Sequence, residues 1–469
     1  MFGKSLIANR GEIALRIVRA CRDLGIKTVV AHSEADRDAC YVRLADQPLC
    51  IGPAPASQSY LNAAAVLSAA VISDAEAVHP GCGFLSGNAE FAARVEAAGL
   101  AFIGPRPETL RLVSDKIALR QAMKAAGISC VPGPDNALPE DAKEIQRLAK
   151  KLGYPVLVKA AGVAGERGRR VVHTEAALQN AVSQARAEAQ EFSGKPDVYL
   201  EKYLENPRHV EIQLLADSHG NVIHLGDRDC SLQRRRHKLI EEAPAPCIPN
   251  RLVAKIGERC AEACQRIGFR GLGSFEFLVT GSEFYFTGIN ARLQVEHPLS
   301  EMVTGIDLVH EQLRIAAGER LRYRQRDLHF RGHAFECRIN AEDPQTFIPS
   351  PGKVTRLQLA GGPGVRIDTA IHQGDTITPH YDPLVAKVIT FGENRDLALR
   401  RMRTALAARC QGFQRSHSSS SATEHINPSS RLSPPYWIAL VKPLARGRCS
   451  TRAWYKPIRP APPAPTAIP

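Results

Sequence analysis

The start of the chain constrains its fold most. Residues 5–8, Ser-Leu-Ile-Ala, are a short, mostly apolar run of the kind produced by a strand buried on both faces. Ile13, Ile17, Ala20, Cys21 and Leu24 then recur at helical spacing, and Gly25 stands where such a helix would stop. Further strand-like runs fall at 28–31, 77–79 and 101–104, with helical patterns between them. This alternation predicts a parallel sheet with helices on its faces. The first strand–helix turn, Asn9-Arg10-Gly11-Glu12, lacks the G-x-G-x-x-G spacing, so a dinucleotide site is not supported.

With 469 residues, two or three domains are expected, since single cores usually hold about 100–200 residues. Beyond Ser114 the pattern predicts helices at 117–126 and 140–152, a strand at 156–159, a Gly-containing loop, and strands at 210–216 and 222–225. Residues 275–279 and 284–289 read as a hairpin around Thr280-Gly281-Ser282. From His329 the chain reads mainly as β, with helical spacing returning at 395–408. After Arg409 a Ser-rich stretch gives way to Pro-rich sequence without a period of 2 or 3.6, which predicts a disordered, low-complexity tail.

The charge of +13 invites a nucleic-acid reading, but in 409–469 nine Lys and Arg face one acid, Glu424, and the rest is only mildly basic. Few aromatics interleave with those cations, so the tail is a poor single-strand platform, and no nucleic-acid partner is expected. No apolar run approaches the ~20 residues that cross a bilayer. A secretory leader is not expected either, and the compartment expected is the cytoplasm. The 12 cysteines are scattered without a Cys-x-x-Cys pair, and reduced, mostly buried thiols are expected.

Six segments carry a specific likeness: Ile7-Ala8-Asn9-Arg10-Gly11-Glu12-Ile13-Ala14, His79-Pro80-Gly81, Glu201-Lys202-Tyr203-Leu204-Glu205-Asn206-Pro207-Arg208-His209, Glu241-Glu242-Ala243-Pro244-Ala245-Pro246, Gln294-Val295-Glu296-His297-Pro298 and Glu336-Cys337-Arg338-Ile339-Asn340-Ala341-Glu342. In this order they resemble the biotin carboxylases, ATP-grasp ligases, and most closely the subunit type found in acetyl-CoA carboxylase. The resemblance implies a mixed α/β and α+β fold. It places an N-terminal Rossmann-like parallel sheet at 1–113, an ATP-grasp domain at 114–328, an incomplete, mainly β C-terminal domain at 329–408 and the atypical tail at 409–469.

The resemblance also implies site residues. Lys116 and Lys159 would hold ATP phosphates as point charges, under a loop containing Gly165 and Gly168. Glu201, Lys202 and Leu204 would form the adenine hinge, with His209 and Gln233 on the ribose and phosphate side. Glu276 and Asn290 would ligate Mg²⁺ or Mn²⁺ through hard oxygen atoms. Arg292 and Lys238 would hold bicarbonate, Glu296 would be the general base, and Arg338 would stabilise the enolate of biotin. Biotin would arrive on a carrier protein, since no Ala-Met-Lys-Met motif occurs in the chain. Carboxyltransferase subunits would complete the reaction of fatty acid synthesis, and a homodimer is implied.

Several positions depart from the family pattern. The family's second metal glutamate falls at Gly288, expected to share a strand face with positions 286 and 290. The glycine run is broken by Val163, Ala164 and Glu166, Cys82 replaces a Tyr, and Gly87 replaces a Glu. These changes predict weakened Mg²⁺ and ATP handling and reduced activity. Two further readings fit the same residues: a catalytically inactive relative, and another ATP-grasp ligase with a different acceptor.

Overall fold

The computed structural model describes residues 1–161 and 168–409. Gly165, the substitutions at 163, 164 and 166, and the tail from 410 lie outside the described residues. The N-terminal sheet is formed by β1 (Lys4–Ile7), β2 (Lys27–Ser33), β3 (Gln47–Gly52), β4 (Ala77–His79) and β5 (Ala101–Phe102). All pairs are parallel, in the order β3-β2-β1-β4-β5. Helix Gly11–Asp23 buries Ile13, Ile17, Ala20 and Cys21, the residues whose spacing predicted it.

A small antiparallel sheet follows. It holds β6 (Val156–Ala160), β7 (Arg169–Val172) and β8 (Val198–Lys202) in the order β7-β6-β8. Helices Ala142–Leu152 and Glu175–Ser193 cover it, around a core that includes Ile145, Val156, Val158, Leu178 and Leu200.

The third sheet is the largest. It comprises β9 (Arg208–Ala216), β10 (Val222–Arg234), β11 (His237–Ala243), β12 (Gly271–Thr280), β13 (Glu283–Asn290) and β14 (His333–Asn340). A two-residue strand β15 (Gly352–Lys353) pairs apart from it with β17 (Thr376–Ile377), while β16 (Val365–Thr369) and β18 (Leu384–Gly392) complete the large sheet. Its order is β13-β12-β9-β10-β11-β14-β18-β16, all antiparallel. One sheet therefore runs through position 329, where the sequence changes character. Among the described residues, no helix is long and apolar enough to cross a membrane.

The expected shared face of 286, 288 and 290 is corrected by the structure. The β12–β13 ladder shifts register between Glu276↔Gly288 and Phe277↔Phe286. The extra residue, Thr287, reverses the alternation, as a bulge does. Phe286 consequently packs with Phe275 and Phe277 in the core, whereas Gly288 and Asn290 look toward Glu276.

Candidate active site

Four adjacent strands, β9, β10, β11 and β14, carry buried charges that face one another. A buried charge is tolerated only when paired and hydrogen-bonded, and the pairing here is dense. Arg228, fully buried, donates to Glu211 at 2.9 Å, Gln213 at 2.6 Å, Gln294 at 2.5 Å and Ser300 at 2.8 Å. Lys238 bridges Glu211 and Glu296. Both oxygens of Glu296 are engaged, Oε1 by Lys238 and by Gln294 at 2.9 Å, and Oε2 by Arg338 at 2.9 Å. Arg338 also grips Glu241, with Nε at 2.7 Å.

Burial alone would push the Glu296 carboxyl up, but Lys238, Arg338 and Arg228 outweigh it and hold it well below the usual carboxylate range. Burial would lower Lys238, yet the surrounding anions keep it well above an ordinary lysine. Glu241 behaves differently: burial dominates over Arg338 and its carboxyl is raised. Arg292 stands beside this cluster, its Nη1 3.3 Å from Cys82 Sγ and 3.2 Å from the Leu293 carbonyl. Cys82 is itself fixed by Asn9, whose Nδ2 donates to its carbonyl at 2.8 Å.

The nucleotide candidates lie on the neighbouring elements. Asp115 caps helix Lys116–Ala125, accepting from Ile117 and Ala118 at 3.0 Å, and so fixes Lys116 at the first turn. Burial lowers Lys116, with Glu276 opposing. Lys159, near the end of β6, donates to Glu201 Oε2 at 3.0 Å, and Arg120 holds Oε1 of the same carboxylate at 3.1 Å. Lys202 turns its ammonium to the Gly153 carbonyl at 2.7 Å, while its backbone N–H donates to Pro132 at 2.7 Å. Leu204 follows half-buried. Gln233 meets His209 Nδ1 at 2.8 Å. Gly168 (φ +68°) requires glycine, because a Cβ there would sit 2.4 Å from that of Ala160.

Glu276 accepts from Asn290 Nδ2 at 2.9 Å and lies 3.5 Å from His209 Nε2. Although burial opposes ionisation, His209, Lys238 and Asn290 hold this carboxyl far below its usual range. An ionised carboxylate beside an amide is a hard donor pair, which fits a divalent ion such as Mg²⁺ or Mn²⁺. Gly288 adds no ligand.

The structure thus brings Lys238, Glu296 and Arg338 into direct contact, with Arg292 beside them and Glu276, Asn290, His209 and Gln233 linked alongside. Sequence reasoning missed Glu211, Arg228 and Arg120. Glu211 had a signal, two residues beyond His209 on one strand face. Arg228 and Arg120 had none, because their partners are far along the chain. A separate cavity of about 360 Å³, lined in part by Asp36, Tyr41 and Asp375, contains none of these groups.

Three family models match in chain order. They are the biotin carboxylase N-terminal domain over 1–110, the ATP-binding domain of the carbamoyl-phosphate synthase L chain over 115–324, and the biotin carboxylase C-terminal domain over 336–419. A biotin carboxylase from Allochromatium vinosum is 60% identical over 406 residues, covering 87% of this chain and 90% of that protein. Among solved structures, a biotin carboxylase from Campylobacter jejuni in a complex described as β,γ-ATP superposes with TM-score 0.85 at 44% identity, covering 88% of this chain and 93% of that one. The biotin carboxylase domain dimer of the Hydrogenobacter thermophilus 2-oxoglutarate carboxylase, in complex with MgADP, ADP and bicarbonate, gives TM-score 0.84 at 45% identity, covering 88% and 92%. Consecutive family matches, a relative matched over 90% of its length and a shared fold agree, and this chain belongs to the biotin carboxylase family.

Proposed function

We propose that this chain carboxylates biotin presented on a separate biotin carboxyl carrier protein, consuming ATP and bicarbonate. The observation that carries the reading is the Glu296 carboxylate gripped on both oxygens by Lys238 and Arg338. A base so held is oriented and ionised before substrate arrives. Lys116 and Lys159 would receive the nucleotide phosphates, and Glu276 with Asn290 would hold Mg²⁺ or Mn²⁺. The bound ion supplies charge neutralisation on the phosphates.

Arg292 and Lys238 would orient bicarbonate by charge-assisted hydrogen bonds. Glu296 takes the bicarbonate proton as a bicarbonate oxygen bonds to the γ-phosphorus and the bond to ADP breaks, giving carboxyphosphate. Carboxyphosphate then releases CO₂ and phosphate. The released phosphate takes the proton of the biotin ureido nitrogen, and Arg338 would stabilise the negative oxygen of the ring as that nitrogen bonds to CO₂. In this reading the chain performs the first half-reaction of acetyl-CoA carboxylase, in the cytoplasm, as a homodimer serving carboxyltransferase subunits. The relatives named biotin carboxylase and the dimeric structural neighbour support it.

The test is bicarbonate-dependent ATP hydrolysis with free biotin. Turnover that requires bicarbonate and rises with biotin is expected; none from folded protein overturns the proposal. A second reading, a relative that keeps the fold without catalysis, is favoured by Gly288, and it predicts nucleotide binding without hydrolysis even for Gly288→Glu.

A further inference from the structure

Lys387 on β18 is fully buried and takes no part in the steps derived above. A buried ammonium is costly unless its neighbours compensate it, and here three elements do so. Its Nζ lies 3.2 Å from Glu12 Oε2, at the head of helix Gly11–Asp23, and 3.7 Å from Asp368 Oδ2 on β16. Burial would lower Lys387, yet Glu12, Glu336 on β14 and Asp368 outweigh it and hold it above an ordinary lysine. One further contact goes to the backbone: Nζ donates to the Val295 carbonyl at 2.8 Å.

That carbonyl belongs to the peptide unit that also carries the Glu296 N–H, so rotating it would swing the Glu296 side chain away from Lys238 and Arg338. The turn is held again one residue earlier. The Gln294 carbonyl meets His297 Nδ1 at 2.7 Å, and the Gln294 side chain is tied to Arg228 and Glu211. Register sets Lys387 opposite Arg338 on β14 and opposite Asp368 on β16, so the three side chains leave one face of the sheet. Two cations on neighbouring strands therefore converge on the same base, Arg338 on its carboxylate and Lys387 on its peptide. Charge-assisted hydrogen bonds are the stronger kind, and this one ties the N-terminal helix, the Glu296 turn and the last strands together at a single atom.

From this geometry we infer that Lys387 is a positioning residue: it fixes the Val295–Glu296 peptide and thereby aims the Glu296 carboxylate at the bicarbonate proton. The inference rests on the reading of Glu296 as general base given above. Lys387 touches no reactant and carries no proton in the reaction.

Removing Lys387 alone would leave Glu12 buried without its cation. The experiment therefore uses the paired variant Glu12→Gln/Lys387→Met in the full chain; Asp368 keeps Arg366, at 2.8 and 2.9 Å. The kcat of bicarbonate-dependent ATP hydrolysis is expected to fall about tenfold to hundredfold, the loss that a displacement of about 1 Å produces, with KM for ATP changed by less than about twofold. A double-mutant cycle with Glu296→Gln separates positioning from general weakening. Because Lys387 acts through Glu296, the pair should add no further loss in kcat once Glu296 is replaced. The same cycle is run with Glu12→Gln/Lys387→Gln, which keeps polar side chains at both positions and carries the test if the methionine pair gives no cooperative melt. An unchanged kcat in the folded pair, or a loss that multiplies with that of Glu296→Gln, overturns this inference and leaves the base in place. A Glu296→Gln variant that turns over like the unmodified chain overturns the base, and this inference with it.

Discussion

Across β9, β10, β11 and β14, Glu211, Arg228, Lys238 and Arg338 are closed with Glu296 into one network, whereas Glu276 on β12 and Lys116 at the head of helix Lys116–Ala125 are open. Lys238, Arg228 and Arg338 each contact two or more acceptors. Lys116 contacts none among the described residues, and Glu276 is met by a neutral amide and an imidazole. The closed side has its orientation settled by folding, which suits the general-base role proposed for Glu296. In the proposed reading the nucleotide phosphates and the divalent ion complete the open side, which also contains Gly288.

This contrast can be broken by substitution. The largest effect is expected from Glu296→Gln, which should cut bicarbonate-dependent ATP hydrolysis about a hundred- to ten-thousandfold while leaving nucleotide binding by calorimetry unchanged. Equal loss of both would place Glu296 in nucleotide binding instead. Next, Lys238→Met leaves Glu211 and Glu296 buried without their shared cation, and should cost about 3–5 kcal/mol in chemical denaturation, as removing one partner of a buried pair does. Lys116→Met should cost little stability, because no ion pair is broken; a comparable loss at the two lysines would erase the distinction between the regions.

Gly288→Glu should raise Mg²⁺-dependent ATP hydrolysis at least about tenfold, equivalent to about 1.4 kcal/mol of barrier. No gain would move the defect away from the metal side. The smallest effect concerns Asp227 on β10, which is next to Arg228 in the chain and accepts a hydrogen bond from the Ala245 N–H at 3.1 Å. Burial pushes its carboxyl up from 3.8 to about 7. A carboxyl raised on folding retains its proton in the native state, so its contribution is full below the unfolded value and is lost as pH rises through the folded one. Melts of Asp227→Asn should therefore lose the decline in stability that the unmodified chain shows between about pH 4 and pH 7. An identical pH profile in the variant would show that Asp227 is ionised in the folded chain.

Legibility in the sequence followed polarity pattern. The strand expected at 77–79 is β4 itself, and the hairpin around Thr280-Gly281-Ser282 joins β12 to β13. The strand expected at 222–225 runs on to Arg234. Asp227, Arg228 and Asp229 interrupt the apolar pattern beyond 225, yet all three are buried. Charges inside a strand look like a strand's end until their partners are known. Helix Glu175–Ser193 was missed for a related reason: its alanines, glutamines and glutamates give only a weak apolar stripe, and its packing face is set by β6 and β8. Several site residues could be named from motifs, Lys238, Glu296 and Arg338 among them, but Glu211 and Arg228 emerged only from contacts.

The sequence by itself determined the alternating N-terminal layout, the caps and turns such as Asp115, and the family motifs, because these depend on neighbours a few residues apart. Tertiary structure alone decided that β9 to β14 would bring Glu211, Arg228, Lys238 and Arg338 onto one face. It also decided that the shifted β12–β13 register would aim Gly288, and not Phe286, at Glu276. The physical reason is range. Hydrogen-bonded register and charge pairing couple residues tens to hundreds of positions apart, and a one-residue slip in a ladder reverses which side chains meet.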